Sequence, residues 1–122
     1  MEKTSKKLLV VEDETVLSQA LHFKFTKEGY TVTVAKNGEE ALAILRKEPI
    51  DYMILDLIMP VMNGFEVIEA MQKEKIKVPL LVLSNLGQKE DIEKINSLGV
   101  TDYFIKANTP ISELATIVNE KF

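Results

Sequence analysis

Cysteine is absent from the 122 residues. Its absence excludes disulfides and all thiol chemistry, and it agrees with a reducing compartment. Histidine occurs once, at His22, with no partner ligand in view; an exposed helix residue is expected there, not a phosphohistidine. No apolar run approaches the roughly 20 residues needed to cross a bilayer. The charged N-terminus lacks the apolar segment of a signal peptide. Basic residues do not predominate: 15 Lys and Arg stand against 19 Asp and Glu, for a formal charge of −4 and a pI near 5.1. A protein that grips nucleic acid shows a basic stripe. Here the one basic cluster, Lys3, Lys6 and Lys7, precedes the first apolar run and reads as a solvated leader. Repeats, low-complexity stretches and linkers are missing too. These absences predict a cytoplasmic protein with neither a membrane nor a nucleic acid as direct partner. One domain over 1–122 is expected, with a core of about 7–122 and a flexible leader at 1–6.

What the chain does have is enough apolar sequence, 46%, to bury a core. Strand-like runs at about 7–12, 30–35, 51–56, 79–84 and 102–105 alternate with helix-like segments. The helices show three- and four-residue apolar spacing. The faces are Leu17, Ala20, Leu21 and Phe25; then Ala41, Ile44 and Leu45; then Val67, Ile68 and Met71; then Ile92 and Ile95; finally Ile111, Leu114, Ile117 and Val118. Gly29 and Gly99 suit helix ends, and Pro49 ends the second helix. Asn37 suits an N-cap. Thr109 followed by Pro110 predicts an N-cap and a first helical residue for the last helix.

Five βα units argue for an α/β fold with a parallel sheet and right-handed crossovers. The first, third and fourth strands are continuously apolar, as strands covered on both faces must be. The second alternates Tyr30, Val32 and Val34 with Thr31 and Thr33, and the fifth has only a short apolar run. Both suit sheet edges. The order 2-1-3-4-5 satisfies this and makes the fold a doubly wound, flavodoxin-like (βα)5.

Five polar residues end the apolar runs: Glu12, Asp13, Asp56, Ser84 and Lys106. Parallel strands would gather them at the carboxyl edge, where open α/β sheets bind ligands. Glu12, Asp13 and Asp56 would repel one another unless a hard divalent cation joined them, and Mg2+ needs only one or two carboxylates plus phosphate oxygens. Asp56 is the natural nucleophile toward phosphorus. The Lys106 ammonium would neutralise charge on a transferring phosphoryl group, and the Ser84 hydroxyl would donate to one of its oxygens.

These residues resemble the receiver domains of two-component response regulators. The matching stretches are LLVVEDE (Leu8 to Glu14), MILDLIMPVMNG (Met53 to Gly64), LVLSN (Leu81 to Asn85) and YFIKA (Tyr103 to Ala107). All four occur in order at the expected strand ends. A chemotaxis receiver is itself a standard example of the 2-1-3-4-5 order, so that order also carries family knowledge. The resemblance implies that Asp56 is the phosphoacceptor, with Mg2+ as cofactor. Glu12 and Asp13 would organise the metal, Asp13 as direct ligand, with the Ile58 backbone carbonyl as a further one. Ser84 would follow the phosphoryl group, Lys106 would be the essential lysine, and Tyr103 the aromatic switch. The implied donor is a histidine kinase or a histidine phosphotransfer protein. The implied output is a changed surface on the fourth helix, fifth strand and fifth helix, open to an output partner or to phosphorylation-dependent homodimerisation. The implied role is a signalling switch, with no output domain within the chain.

The chain departs from the family pattern at four positions. Ala107 stands where proline, often cis, is usual. A cis bond to alanine would cost about 2.5–4 kcal/mol, so a trans bond is expected. Asn85 replaces a small residue, and its amide is expected to narrow access to the phosphoryl group or to bond it. Ile58 and Leu86 are apolar where polar residues often tune dephosphorylation. The alternative reading is a degenerate receiver, a phosphorylation-independent interaction module. A haloacid-dehalogenase-type phosphatase would want Asp where Ile58 stands. A flavin carrier would not place Glu12-Asp13-Glu14 in its phosphate loop.

Overall fold

Apolar strands alternating with amphipathic helices assemble, in the computed structural model, into a five-stranded sheet covered on both faces. Residues 6–86 and 88–122 are described; the expected leader, Lys6 apart, lies outside them. The elements run β1 (Lys7–Val11), α1 (Thr15–Lys27), β2 (Thr31–Ala35), α2 (Gly38–Lys47), β3 (Tyr52–Leu55), α3 (Gly64–Lys73), β4 (Leu80–Ser84), α4 (Lys89–Ser97), β5 (Tyr103–Ile105) and α5 (Ile111–Asn119). A short 3-10 turn, Lys106–Asn108, joins β5 to α5.

The order is β2-β1-β3-β4-β5, every pair parallel. The expected order and class are therefore found. Val11 pairs with both Ala35 and Leu55, Leu55 with Val82, and Ser84 with Ile105. The carboxyl ends of all five strands thus form one edge.

Alternation along the strands splits the core in two. Leu9, Val11, Met53, Leu55 and Val82 face α2, α3 and Ile95 of α4. Leu8, Val10, Ile54, Leu81 and Leu83 face Leu21 and Phe25 of α1 and Leu114 and Val118 of α5. Edge strands β2 and β5 are only half-buried over most of their length. Met53, Met59 and Met71 are buried in the first of these cores, and Met62 packs against it.

Several boundaries differ from the sequence expectation by one residue. Asp51, Pro79 and Asp102 lie just outside their strands, each tied to the ladder by a single backbone bond (Asp51 N–H to Lys7, Met53 N–H to the Pro79 carbonyl, Val82 N–H to the Asp102 carbonyl). Asn37 caps α2 by accepting the Glu40 N–H at 2.9 Å. Thr109 is not the cap of α5. Its hydroxyl donates instead to the Ile105 carbonyl at 2.9 Å, and Pro110 takes the cap position. On α1 the buried positions are Ser18, Leu21 and Phe25, while Leu17 and Ala20 are half-buried. His22 is exposed, as expected. No helix among the described residues is long and apolar enough to cross a membrane.

Candidate functional site

Each acidic residue of the site is placed by a strand end. Past β1, the Glu12 N–H still donates to the Ala35 carbonyl at 3.0 Å. Past β3, the Asp56 N–H donates to the Val11 carbonyl at 3.0 Å. The ladder therefore runs one residue beyond both strands and fixes both side chains at the carboxyl edge. Glu12 is 2% exposed and Asp56 4%, whereas Asp13 is open to solvent. One carboxylate oxygen from each of the three lies within 4.8 Å of the others.

Lys106 reaches this cluster from the 3-10 turn that follows β5. Its Nζ lies 2.9 Å from Asp56 Oδ2, 2.9 Å from Glu12 Oε1 and 3.1 Å from Glu12 Oε2. Glu12 Oε2 also accepts the Glu14 N–H at 3.0 Å. Asp56 Oδ1 has only a long contact, 3.4 Å from the Ile58 N–H, and so keeps acceptor capacity toward the cleft. Burial pushes the Glu12 carboxyl above its ordinary pKa, and the Asp56 charge adds to this; the bonds from Lys106 and Glu14 offset only part. Burial pulls Lys106 down, but its bonds to Glu12 and Asp56 outweigh that and hold the ammonium above its ordinary value. An opposite charge at bonding distance favours the ionised form more than partial burial opposes it.

Ser84, the last residue of β4, is 1% exposed, and its Oγ accepts the Leu86 N–H at 3.4 Å. Among the described residues no hydrogen bond joins it to the charged cluster. Tyr103 opens β5, and its ring packs against the α2–α3–α4 core. Its hydroxyl is buried with no partner among the described residues. Burial, helped by the Asp91 and Asp56 charges, raises its pKa. Leu86 packs against the same core, whereas Ile58 is 58% exposed. No peptide bond is cis among the described residues, so Lys106–Ala107 is trans as expected. The Asn85 side-chain oxygen accepts the Ala107 N–H at 3.2 Å.

Sequence reasoning missed the seating of the loop after Asp56. A Cβ on Gly64 would collide with the Asp56 carbonyl oxygen and lie 2.8 Å from Leu57 Cα. The Gly64 N–H donates to the Leu57 carbonyl at 2.9 Å. The N-terminus of α3 is thereby pressed against the backbone of Asp56 and Leu57. Asn63 and Glu66 form a reciprocal capping box there, each side chain accepting the other's N–H at 2.9 Å. The Asn-x-x-Glu spacing was the available signal.

Three carboxylates and one ammonium leave a formal −2 (−3 + 1) at the cluster, which one divalent cation cancels. The donors are all hard oxygens, two buried and one solvent-open, and they fit Mg2+.

The sequence matches the response regulator receiver domain family over residues 8–119. It is 39% identical over 110 residues to the probable transcriptional regulator ycf27 of Porphyra purpurea, covering 90% of this chain and 45% of that protein. It is 35% identical over 112 residues to the response regulator SaeR of Staphylococcus aureus, covering 92% and 48%. The chain thus spans about half the length of the curated relatives it matches. Among solved structures, the receiver domain of Francisella response regulator 1452 superposes with a TM-score of 0.87 at 31% identity, covering 95% of each chain. The response regulator TrrA of Thermotoga maritima, solved in complex with Mg2+ and BeF, gives 0.81 at 30% identity, covering 96% of this chain and 99% of that one. Fold, carboxyl-edge cluster and relatives agree: the chain belongs to the response regulator receiver domain family.

Proposed function

We propose that Asp56 accepts a phosphoryl group and that this charge change is the signal the domain transmits. One observation carries the reading: a half-buried ammonium, Lys106, bridges the buried Asp56 and Glu12 at 2.9 Å while Asp13 stays open to solvent beside them. Receiver domains in general take phosphoryl groups from histidine kinases and bind Mg2+ at an acidic pocket. Here Glu12, Asp13, Asp56 and the Ile58 backbone carbonyl would hold Mg2+. The ion, when bound, supplies positive charge at the phosphoryl oxygens.

In the transfer itself, an Asp56 carboxylate oxygen forms a bond to phosphorus as the donor's phosphorus–nitrogen bond breaks. The leaving imidazole takes a proton. Lys106 is pre-placed to pair with a phosphoryl oxygen, and the Ser84 hydroxyl, which only accepts at the Leu86 N–H, moves from there to donate its proton to another. Its departure frees space at the end of β4, next to Tyr103 on β5. The α4–β5–α5 face then carries the output, to a partner protein or to a second copy of the chain. The donor is a histidine kinase or a histidine phosphotransfer protein in the cytoplasm.

Intact-mass spectrometry after incubation with Mg2+ and acetyl phosphate tests this. One added phosphoryl group is expected, absent without metal and absent in Asp56→Asn. No adduct, together with no structural response to beryllofluoride, would sink the proposal and favour the phosphorylation-independent interaction module.

Phosphate lifetime gives a second prediction. Ile58 presents an exposed apolar side chain two residues from Asp56, where it hinders water more than it orients it. Ile58→Asn adds a hydrogen-bonding group and is expected to shorten the aspartyl-phosphate lifetime by about threefold to tenfold, the range one hydrogen bond supports. An unchanged decay rate would count against any role for this side chain.

A further inference from the structure

Two of this chain's four departures from the family pattern lie in separate loops beside neighbouring strand ends, and the structure joins them directly. Asn85 follows Ser84, and Ala107 follows Lys106. The Asn85 side-chain oxygen accepts the Ala107 main-chain N–H at 3.2 Å, across 22 residues of sequence. Each partner depends on the other's departure. A proline at 107 would have no N–H to give. An alanine or glycine at 85 would have no side-chain acceptor.

The bond sits where it can fix the ammonium. Lys106 opens the 3-10 turn Lys106–Asn108, which is closed by the Thr109 N–H to the Lys106 carbonyl at 3.3 Å. Short 3-10 turns have poor hydrogen-bond geometry and hold themselves weakly. The preceding strand, β5, is three residues long and lies at the sheet edge. Asn85 ties this turn to the end of β4, an interior strand whose last residue, Ser84, is buried.

We infer that Asn85 is a positioning residue: through the Ala107 N–H it holds the Lys106 turn against the end of β4 and keeps Lys106 Nζ between Glu12 and Asp56. It makes no hydrogen bond to either carboxylate among the described residues. The two departures are one matched change, in which a side-chain bond and a trans peptide replace whatever a proline would impose. The tie engages the Asn85 side-chain oxygen; the amide NH2, the end expected from sequence to narrow access to the phosphoryl group or to bond it, takes no part in it. The inference rests on the proposed role of Lys106 in phosphoryl transfer, and its test is arranged in two parts for that reason.

Amide hydrogen exchange of Ala107 tests the tie in metal-free, unphosphorylated protein. Asn85→Ala is expected to speed exchange at Ala107 by about threefold to tenfold, as loss of one hydrogen bond implies, with β3 and α1 amides unchanged. Equal exchange at Ala107 in the two proteins overturns the inference. The second part measures the initial rate of phosphorylation by acetyl phosphate at saturating Mg2+ in wild type, Asn85→Ala, Lys106→Ala and the double variant. Asn85→Ala is expected to slow the wild type by a similar factor and to have no further effect once Lys106 is gone. Equal slowing in both backgrounds would mean that Asn85 acts on the donor itself, and the inference fails. If wild type takes no phosphoryl group, the proposed function fails, and the exchange result still decides whether the tie exists.

Discussion

Gly64→Ala is expected to lower stability by about 3 kcal/mol, the upper part of the range for overpacking a tight site. For a chain of this length that corresponds to a melting temperature about 10 °C lower. The added Cβ meets the Asp56 carbonyl oxygen, Leu57 Cα and, at 3.1 Å, the Asp56 carbonyl carbon. All three are main-chain atoms, so no side chain can swing aside. Relief requires α3 to back away, which stretches the Gly64 N–H bond to Leu57 and moves Asp56. Phosphorylation should therefore slow even at temperatures where the variant is folded. Gly29→Ala is the control. Its Cβ would meet nothing within 4 Å, but φ is +101°, so its cost is backbone strain alone, of order 1 kcal/mol, with the site untouched. Thermal melts and phosphorylation rates of the two variants separate the mechanisms. A Gly64→Ala protein that melts with wild type would show that α3 is free to shift.

The contrast between those glycines also shows what was legible in the sequence. The strand order was readable because burial on two faces demands continuous apolar runs, as in β1, β3 and β4, while half-covered strands tolerate Thr31 and Thr33. Glu12, Asp13, Asp56 and Lys106 were readable because each terminates such a run, and parallel register does the rest. Four features were not. Gly64 reads as a turn residue; only the fold brings its Cα onto the Asp56 carbonyl. The 3-10 turn Lys106–Asn108 is too short to leave a periodic pattern, and without it Thr109 looked like the cap of α5. The Ser84 Oγ accepts the Leu86 N–H at 3.4 Å, and a side-chain bond to a main-chain donor two residues on leaves no mark in apolar spacing. Ser18 is polar and buried because its hydroxyl bonds the Thr15 carbonyl at 3.1 Å, a local satisfaction that apolar spacing does not reveal.

Lys106→Ala should have the largest functional effect of any substitution at a residue other than the proposed acceptor, Asp56. Removing one pre-placed charge from a phosphoryl-transfer site costs about 10²–10³ in rate, by analogy with loss of a single oxyanion donor. The same change should destabilise the metal-free protein by about 3 kcal/mol, because breaking a buried ion pair leaves its partner unpaired. Here two carboxylates, Glu12 and Asp56, lose their common ammonium, and both are at most 4% exposed. The pH dependence has a definite sign. The folded pKa of Lys106 lies above its ordinary value of 10.5, so the folded state holds that proton more tightly, and the stabilisation is fully present at neutral pH and lost only as pH rises past that value. Glu12 works in the other direction: its folded pKa is raised above 4.5, so its ionisation opposes folding, and stability is gained as pH falls through that raised value. In Lys106→Ala the lysine's bond and charge no longer offset the burial of Glu12, so the variant should recover part of its lost stability in mildly acid, metal-free buffer. Mg2+ should recover part of it at neutral pH, by mass action on the folded state, without restoring the phosphorylation rate. Denaturant unfolding across pH, with and without Mg2+, measures both recoveries. A variant more stable than wild type at neutral pH would show instead that the cost of desolvating the ammonium exceeds what its two carboxylate partners return.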